Sequence, residues 1–258
     1  MKVMYGTKKI RIIPRLDIKG PNVVKGIHCE GLRIVGNPTD LSLKYYGDGA
    51  DELLCMDIVA SLYQRNFDFD ILRSLAQNIF IPITVGGGIR SINDINSALR
   101  AGADKVAINT YATKHPEFLN EAVKKFGAQC IVLSVEAKKN GLNQWEVYTD
   151  GGREHTGIDA IGWIKKAISL GVGEVVITSI DNDGTRSGYE LDLIRSVTAI
   201  SPIPVIVHGG AGPLGSFKDV FSRYRPDGLA AASVFHYKDL EIKEVKQYLN
   251  ENKIPVRI

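Results

Sequence analysis

The segment Ile81-Pro82-Ile83-Thr84-Val85-Gly86-Gly87-Gly88 returns as Ile203-Pro204-Val205-Ile206-Val207-His208-Gly209-Gly210. The same offset of 122 aligns Asp51-Glu52-Leu53-Leu54 with Gly173-Glu174-Val175-Val176. Leu16-Asp17-Ile18-Lys19 and Val135-Glu136-Ala137-Lys138 are 119 residues apart. Only two copies fit in the chain, whereas a solenoid needs three or more short units, so the duplication implies two fused half-domains related by a pseudo-twofold axis.

Each half carries four short, β-rich apolar runs: Ile10 to Asp17, Asp51 to Ile58, Ile81 to Val85 and Asp104 to Ile108, then Gln129 to Glu136, Glu174 to Ser179, Ile203 to Val207 and Gly228 to Ala232. Between them lie segments of helical period, such as Phe69-Ile71-Leu72-Leu75-Ala76 and Ile161-Ile164-Ile168, and Asp239 to Asn250 closes the series. Eight strand–helix units in 258 residues match the size of a barrel of eight parallel strands ringed by helices, while an open doubly wound sheet uses fewer strands. No Pro-, Gly- or Ser-rich linker interrupts the pattern. The expected fold is therefore α/β, a single (β/α)8 TIM barrel over residues 1–258, with half-barrels of about 1–122 and 123–258.

Composition narrows the partners. The net charge is +3 and no basic run exceeds two residues, which argues against a nucleic-acid or membrane partner. Three separated cysteines, Cys29, Cys55 and Cys130, form no C-x-x-C pair and suit reduced thiols. No apolar run approaches the length of a membrane span, and the first residues lack a signal-peptide core, so the expected location is cytoplasmic. The five histidines show no metal-ligand spacing, and neither a metal nor another cofactor is expected. Trp145 and Trp163 are expected to pack.

Active sites of such barrels lie at the C-terminal strand ends. There the third strand of each half ends in Gly86-Gly87-Gly88 or Gly209-Gly210, and the fourth in Asn109-Thr110 or Ala232-Ser233. Glycines let backbone N–H groups approach a phosphate, and hydroxyls add donors. One glycine pair could be no more than a tight turn, but its repetition at the same barrel position predicts a phosphate on each half, hence a small-molecule bisphosphate. The first strands end in Asp17 and Glu136 on opposite walls, where two carboxyl groups can divide acid and base roles if their surroundings separate their pKa values. The plainer alternative is a pair of solvated acids neutralised by Lys19 and Lys138.

Further strings carry a resemblance. Ile12-Ile13-Pro14-Arg15-Leu16-Asp17-Ile18-Lys19, Ala101-Gly102-Ala103-Asp104-Lys105-Val106-Ala107-Ile108-Asn109-Thr110, Thr178-Ser179-Ile180-Asp181-Asn182-Asp183-Gly184-Thr185 and Ala231-Ala232-Ser233-Val234-Phe235-His236-Tyr237 resemble the cyclase subunits of imidazole glycerol phosphate synthase. The resemblance covers nearly the whole chain and implies an enzyme of histidine biosynthesis. Family cyclases take ammonia from a glutaminase amidotransferase partner in a heterodimer. They add it to a phosphoribulosyl-formimino aminoimidazole carboxamide ribonucleotide, and release imidazole glycerol phosphate and an aminoimidazole carboxamide ribonucleotide. By resemblance Asp17 matches a catalytic aspartate and Lys25 the flexible first-loop lysine. Gly86, Asn109, Thr110, Asp183, Gly184, Gly210 and Ser233 match the substrate or phosphate contacts, and Arg11, Glu52, Lys105 and Glu174 match a ring of charges where ammonia enters from the opposite end. Such a ring also suits a purely stabilising role.

Three positions depart from the family pattern. Glu136 stands where a second aspartate is expected, Arg15 replaces a small residue, and His208 replaces a small hydroxyl residue. Strand alternation turns Arg15 into the barrel on the face of Arg11 and Asp17. The expectation is that it reaches across to pair with Glu136, holding Glu136 ionised and leaving proton donation to Asp17. The same departures admit another reading, a cyclase-like subunit that channels ammonia to a different acceptor, such as a surface-polysaccharide nucleotide sugar.

Overall fold

The computed structural model describes residues 9–258. In chain order the elements are β1 (Arg11–Lys19), β2 (Asn22–Ile27), β3 (Glu30–Gly36), α1 (Pro38–Gly47), β4 (Leu53–Asp57), α2 (Phe69–Ala76), β5 (Ile83–Gly86), α3 (Ile92–Arg100), β6 (Lys105–Ile108), α4 (Thr110–Lys114) and α5 (Glu117–Phe126). The second half follows with β7 (Ile131–Gly141), β8 (Gln144–Thr149), β9 (Glu154–Asp159), α6 (Ala160–Ser169), β10 (Glu174–Ser179), α7 (Leu191–Ile200), β11 (Val205–His208), α8 (Leu214–Tyr224), β12 (Gly228–Ala231), α9 (Ser233–His236) and α10 (Ile242–Glu251). Strands β1, β4, β5, β6, β7, β10, β11 and β12 pair in parallel in that order. The ring closes where Arg11 to Pro14 register with Gly228 to Ala231. This is the expected (β/α)8 barrel.

Four strands lie outside the expected eight. β1 and β7 run for 9 and 11 residues, past the barrel rim, and each continues into an antiparallel hairpin. β2 and β8 begin 122 residues apart, at Asn22 and Gln144, so the hairpins obey the same repeat. In β8 the alternation Trp145, Val147 and Thr149 inward against Gln144, Glu146 and Tyr148 is plain, and its period of two carried the signal.

Closure sorts side chains by parity. Inward residues Ile13, Leu54, Met56, Ala107, Val132, Val176, Ile206 and Ala230 form an apolar layer across the barrel, separate from the larger core between strands and helices. Trp145 and Trp163 are buried in that outer core. No helix among the described residues is long and apolar enough to cross a membrane.

An aspartate just before a strand ties it to its neighbour. Asp51 accepts from Ile12 N at 2.8 Å, Asp104 from Ile83 N at 2.8 Å and Asp227 from Val205 N at 2.8 Å. Buried Asp51 also accepts from Lys246 Nζ of α10 at 2.9 Å, which pins the last helix under the barrel. Removing the cation leaves a buried carboxylate uncompensated. Lys246→Met should therefore lower stability in urea unfolding by roughly 3 kcal/mol with an unchanged denaturant slope. A loss below about 1 kcal/mol would show that Asp51 is satisfied by the backbone alone.

Candidate active site

At the N-terminal end of the barrel, the inward residues below the apolar layer are charged. Arg11 Nη1 meets Glu52 Oε2 at 2.7 Å and its Nη2 meets Glu174 Oε1 at 2.5 Å. Lys105 Nζ lies 2.8 Å from Glu52 Oε1 and 2.7 Å from Glu174 Oε2. The four residues alternate in sign around a closed ring, with both carboxylates buried and the cations less than one-fifth exposed.

At the opposite end, Asp17 Oδ1 accepts from Arg15 Nε at 2.7 Å and Oδ2 from Lys25 Nζ at 3.2 Å. Lys25, carried by β2, also reaches Asp183 at 2.7 and 2.8 Å. The β1–β2 hairpin thus folds a lysine back over the mouth, where the resemblance expected a loop lysine. Burial alone would favour protonated Asp17, but Arg15 and Lys25 outweigh it and hold the carboxyl well below its usual range. Asp183 is also lowered, because Lys25 overcomes the effect of burial.

Arg15 Nη1 donates to Thr178 Oγ1 at 2.9 Å and lies 3.3 Å from His208 Nδ1. Because arginine only donates, Nδ1 accepts and the ring is the neutral Nε2–H tautomer. Burial, helped by Arg15, accordingly pushes the His208 pKa down to about 3.

The expected Arg15–Glu136 pair does not form. Arg15 points inward as alternation requires, but its guanidinium bonds Asp17, two residues along its own strand face, together with Thr178 and His208, and makes no hydrogen bond to Glu136. Glu136 accepts from Asn109 Nδ2 at 3.2 Å. Burial pushes its pKa up to about 7; Arg15 counters only in part and Asp17 adds to the rise. The shifts run opposite to the expected division: Glu136 keeps its proton to a higher pH than an ordinary glutamate and titrates around neutrality, while Asp17 is the ionised one.

The two glycine turns superpose in conformation. Gly87 and Gly209 have φ of +104° and +96°, and a Cβ would lie 2.2 Å from Asp57 O in one and 2.5 Å from Ser179 O in the other. Only glycine fits such an approach. A cavity of about 230 Å³ opens beside the first turn, lined by Arg15, Gly87, Gly88, Asn109, Thr110, Ser134 and Glu136, with Arg90 and Lys114 at its rim. Gly86, the expected contact, is the last residue of β5 and lies behind this lining. Beside the second turn, Lys25, Asp183, Gly184, His208, Gly210 and Ser233 enclose only about 10 Å³, space for one water. An open groove of about 520 Å³ reaches Lys25, Gly184 and Ser233 from the outer side. Thr178 and Ser134 were missed in the sequence; counting inward positions two by two from Glu174 and Val132 would have found both.

The profile of histidine biosynthesis proteins matches residues 11–241. The chain is 55% identical to the imidazole glycerol phosphate synthase subunit HisF of Legionella pneumophila over 208 residues, which is 81% of this chain and 98% of the relative. It is 46% identical to that of Helicobacter hepaticus over 248 residues (96% and 98%), and 45% identical to that of Streptococcus mutans over 249 residues (96% and 99%). The chain belongs to the imidazole glycerol phosphate synthase HisF family. Membership makes it a cyclase-type enzyme of histidine biosynthesis. Within this barrel the two first-strand carboxyls occupy electrostatically unequal halves of one mouth.

That inequality has a signature in stability. The folded pKa of Glu136, about 7, exceeds the unfolded value of 4.5, so folding takes up a proton between them. The contribution of Glu136 to stability is full below about pH 4.5 and is lost as pH rises through 7. Glu136→Gln should remove roughly 3 kcal/mol of this loss, so that the variant gains on the native chain between acidic and mildly alkaline pH in urea titrations. Parallel stability curves would mean that Glu136 ionises without cost.

Proposed function

We propose that this chain adds ammonia to the phosphoribulosyl-formimino aminoimidazole carboxamide ribonucleotide and splits it into imidazole glycerol phosphate and the aminoimidazole carboxamide ribonucleotide. Its ammonia comes from a glutaminase subunit in the cytoplasm. The observation that carries this reading is a mouth with one glycine turn on either side, where burial raises the pKa of Glu136 to about 7 while cations hold Asp17 ionised. Glu136, on the cavity wall, donates the proton to the bound substrate, and Asp17 holds Arg15 and Lys25 beside it. One phosphate suits the cradle of Gly88, Asn109 and Thr110. The other suits Gly184, Gly210 and Ser233 once Lys25 moves outward. The name "subunit" borne by the relatives supports a partner, and the ring of Arg11, Glu52, Lys105 and Glu174 suits the face it covers, with the apolar layer above passing neutral ammonia more readily than ammonium.

One observation favours a second reading. Both Asp17 oxygens are engaged by Arg15 and Lys25, which withholds that carboxylate from proton transfer, as a conduit delivering ammonia to another acceptor would allow.

The purified chain with the bisphosphate and an ammonium salt should release both products, and Glu136→Gln should cut the rate by about 100-fold. Lys105→Glu should impair glutamine-supported turnover by the complex more than ammonium-supported turnover, since added ammonia reaches the mouth directly. Equal losses by both routes would make the ring structural. Absence of product from a folded chain at saturating ammonium would leave the conduit.

A further inference from the structure

Repeat partners expose what breaks the symmetry of the mouth. Arg15 is matched 119 residues on by Ser134, while Thr178 and His208 are matched 122 residues back by Met56 and Gly86. Around β1, β10 and β11 the interior is therefore filled by a guanidinium, a hydroxyl and an imidazole. Around β4, β5 and β7 the equivalent positions carry a thioether, a glycine and a small hydroxyl, and there the cavity of about 230 Å³ opens.

Arg15 spends Nε on Asp17 at 2.7 Å and Nη1 on Thr178 at 2.9 Å and His208 at 3.3 Å, all on the filled side. Both oxygens of Asp17 are engaged by cations, and Asp17 is absent from the cavity wall that Arg15 and Glu136 share. Glu136 has only the Asn109 amide among side-chain donors.

We propose that Arg15 is a positioning residue that fixes Asp17 as a standing carboxylate and leaves Glu136 the one first-strand carboxyl able to exchange a proton with a molecule in the mouth cavity. This rests on the acid role given to Glu136 above and adds the residue that sets it. The charged and titratable groups acting on Glu136 are Arg15 and Asp17 of β1, Asp183 beyond β10 and Cys29 of the hairpin turn, and Asp57, Arg90, Lys114 and His115 line the same cavity. Arg15 is the principal group lowering the Glu136 pKa, against burial and the carboxylates that raise it. His208 is neutral, and Lys25 is shared between Asp17 and Asp183.

Carboxyl ¹³C NMR titration of the intact chain, labelled at Asp and Glu, tests this without requiring turnover. The native chain should show one buried carboxyl titrating near pH 7, missing in Glu136→Gln, while Asp17 stays ionised through the neutral range. In Arg15→Met the Glu136 midpoint should rise by about one pH unit and Asp17 should begin to titrate in the acid range. Should Arg15→Met fail to fold, Arg15→Gln keeps a donor for Asp17 and Thr178 while removing the charge, and should show the same rise. The alkaline limb of ammonium-dependent turnover should move with the Glu136 midpoint. A Glu136 midpoint within about 0.3 pH units of the native one in a folded, uncharged variant would overturn the proposal, as would a native Asp17 that titrates at neutral pH. Loss of the proposed reaction with this titration behaviour intact would remove the reaction and leave the role of Arg15 standing.

Discussion

A charge that points into a closed barrel must find its counter-charge within reach of its own stem. Eight paired strands shut water out of the interior, and an isolated ion there costs several kcal/mol. The molecule meets this constraint twice. At one end, two cations and two carboxylates alternate around the axis. At the other, Arg15 and Lys25 neutralise Asp17 and Asp183. The apolar layer at Ile13, Val132, Val176 and Ile206 keeps the two charge systems apart.

Much of this was legible in the chain because parity and repetition are sequence properties. The offset of 122 places Gly87 over Gly209 and Asp57 over Ser179, and the shared positive φ and the close approach of the two turns follow from it. The ring of Arg11, Glu52, Lys105 and Glu174 was likewise readable, since each residue begins a strand or directly precedes one. The hairpins were not anticipated because β2 and β8 follow β1 and β7 so closely that they pass for parts of long strand–helix loops.

The partner of Arg15 could not be read from the chain. Strand alternation gives direction but not reach. Asp17 sits on the same strand face, Thr178 and His208 lie on β10 and β11, which do not pair with β1, and only the closed register decides that these, rather than Glu136, take the guanidinium. The consequence is chemical: that one contact decides which carboxyl has its pKa raised and which has it lowered. A duplicated scaffold thereby becomes a mouth with an open half and a filled half, and Arg15, Glu136 and His208, the positions at which the resemblance implied a departure, all bear on that difference.

The inequality of the halves is tested most directly by a crystal structure of the chain soaked in saturating inorganic phosphate. The account predicts an ion in the cradle of Gly88, Asn109 and Thr110, and an ion at Gly210 and Ser233 only where Lys25 has withdrawn from Asp183. An empty first cradle, or a filled second one with Lys25 still 2.7 Å from Asp183, would contradict it.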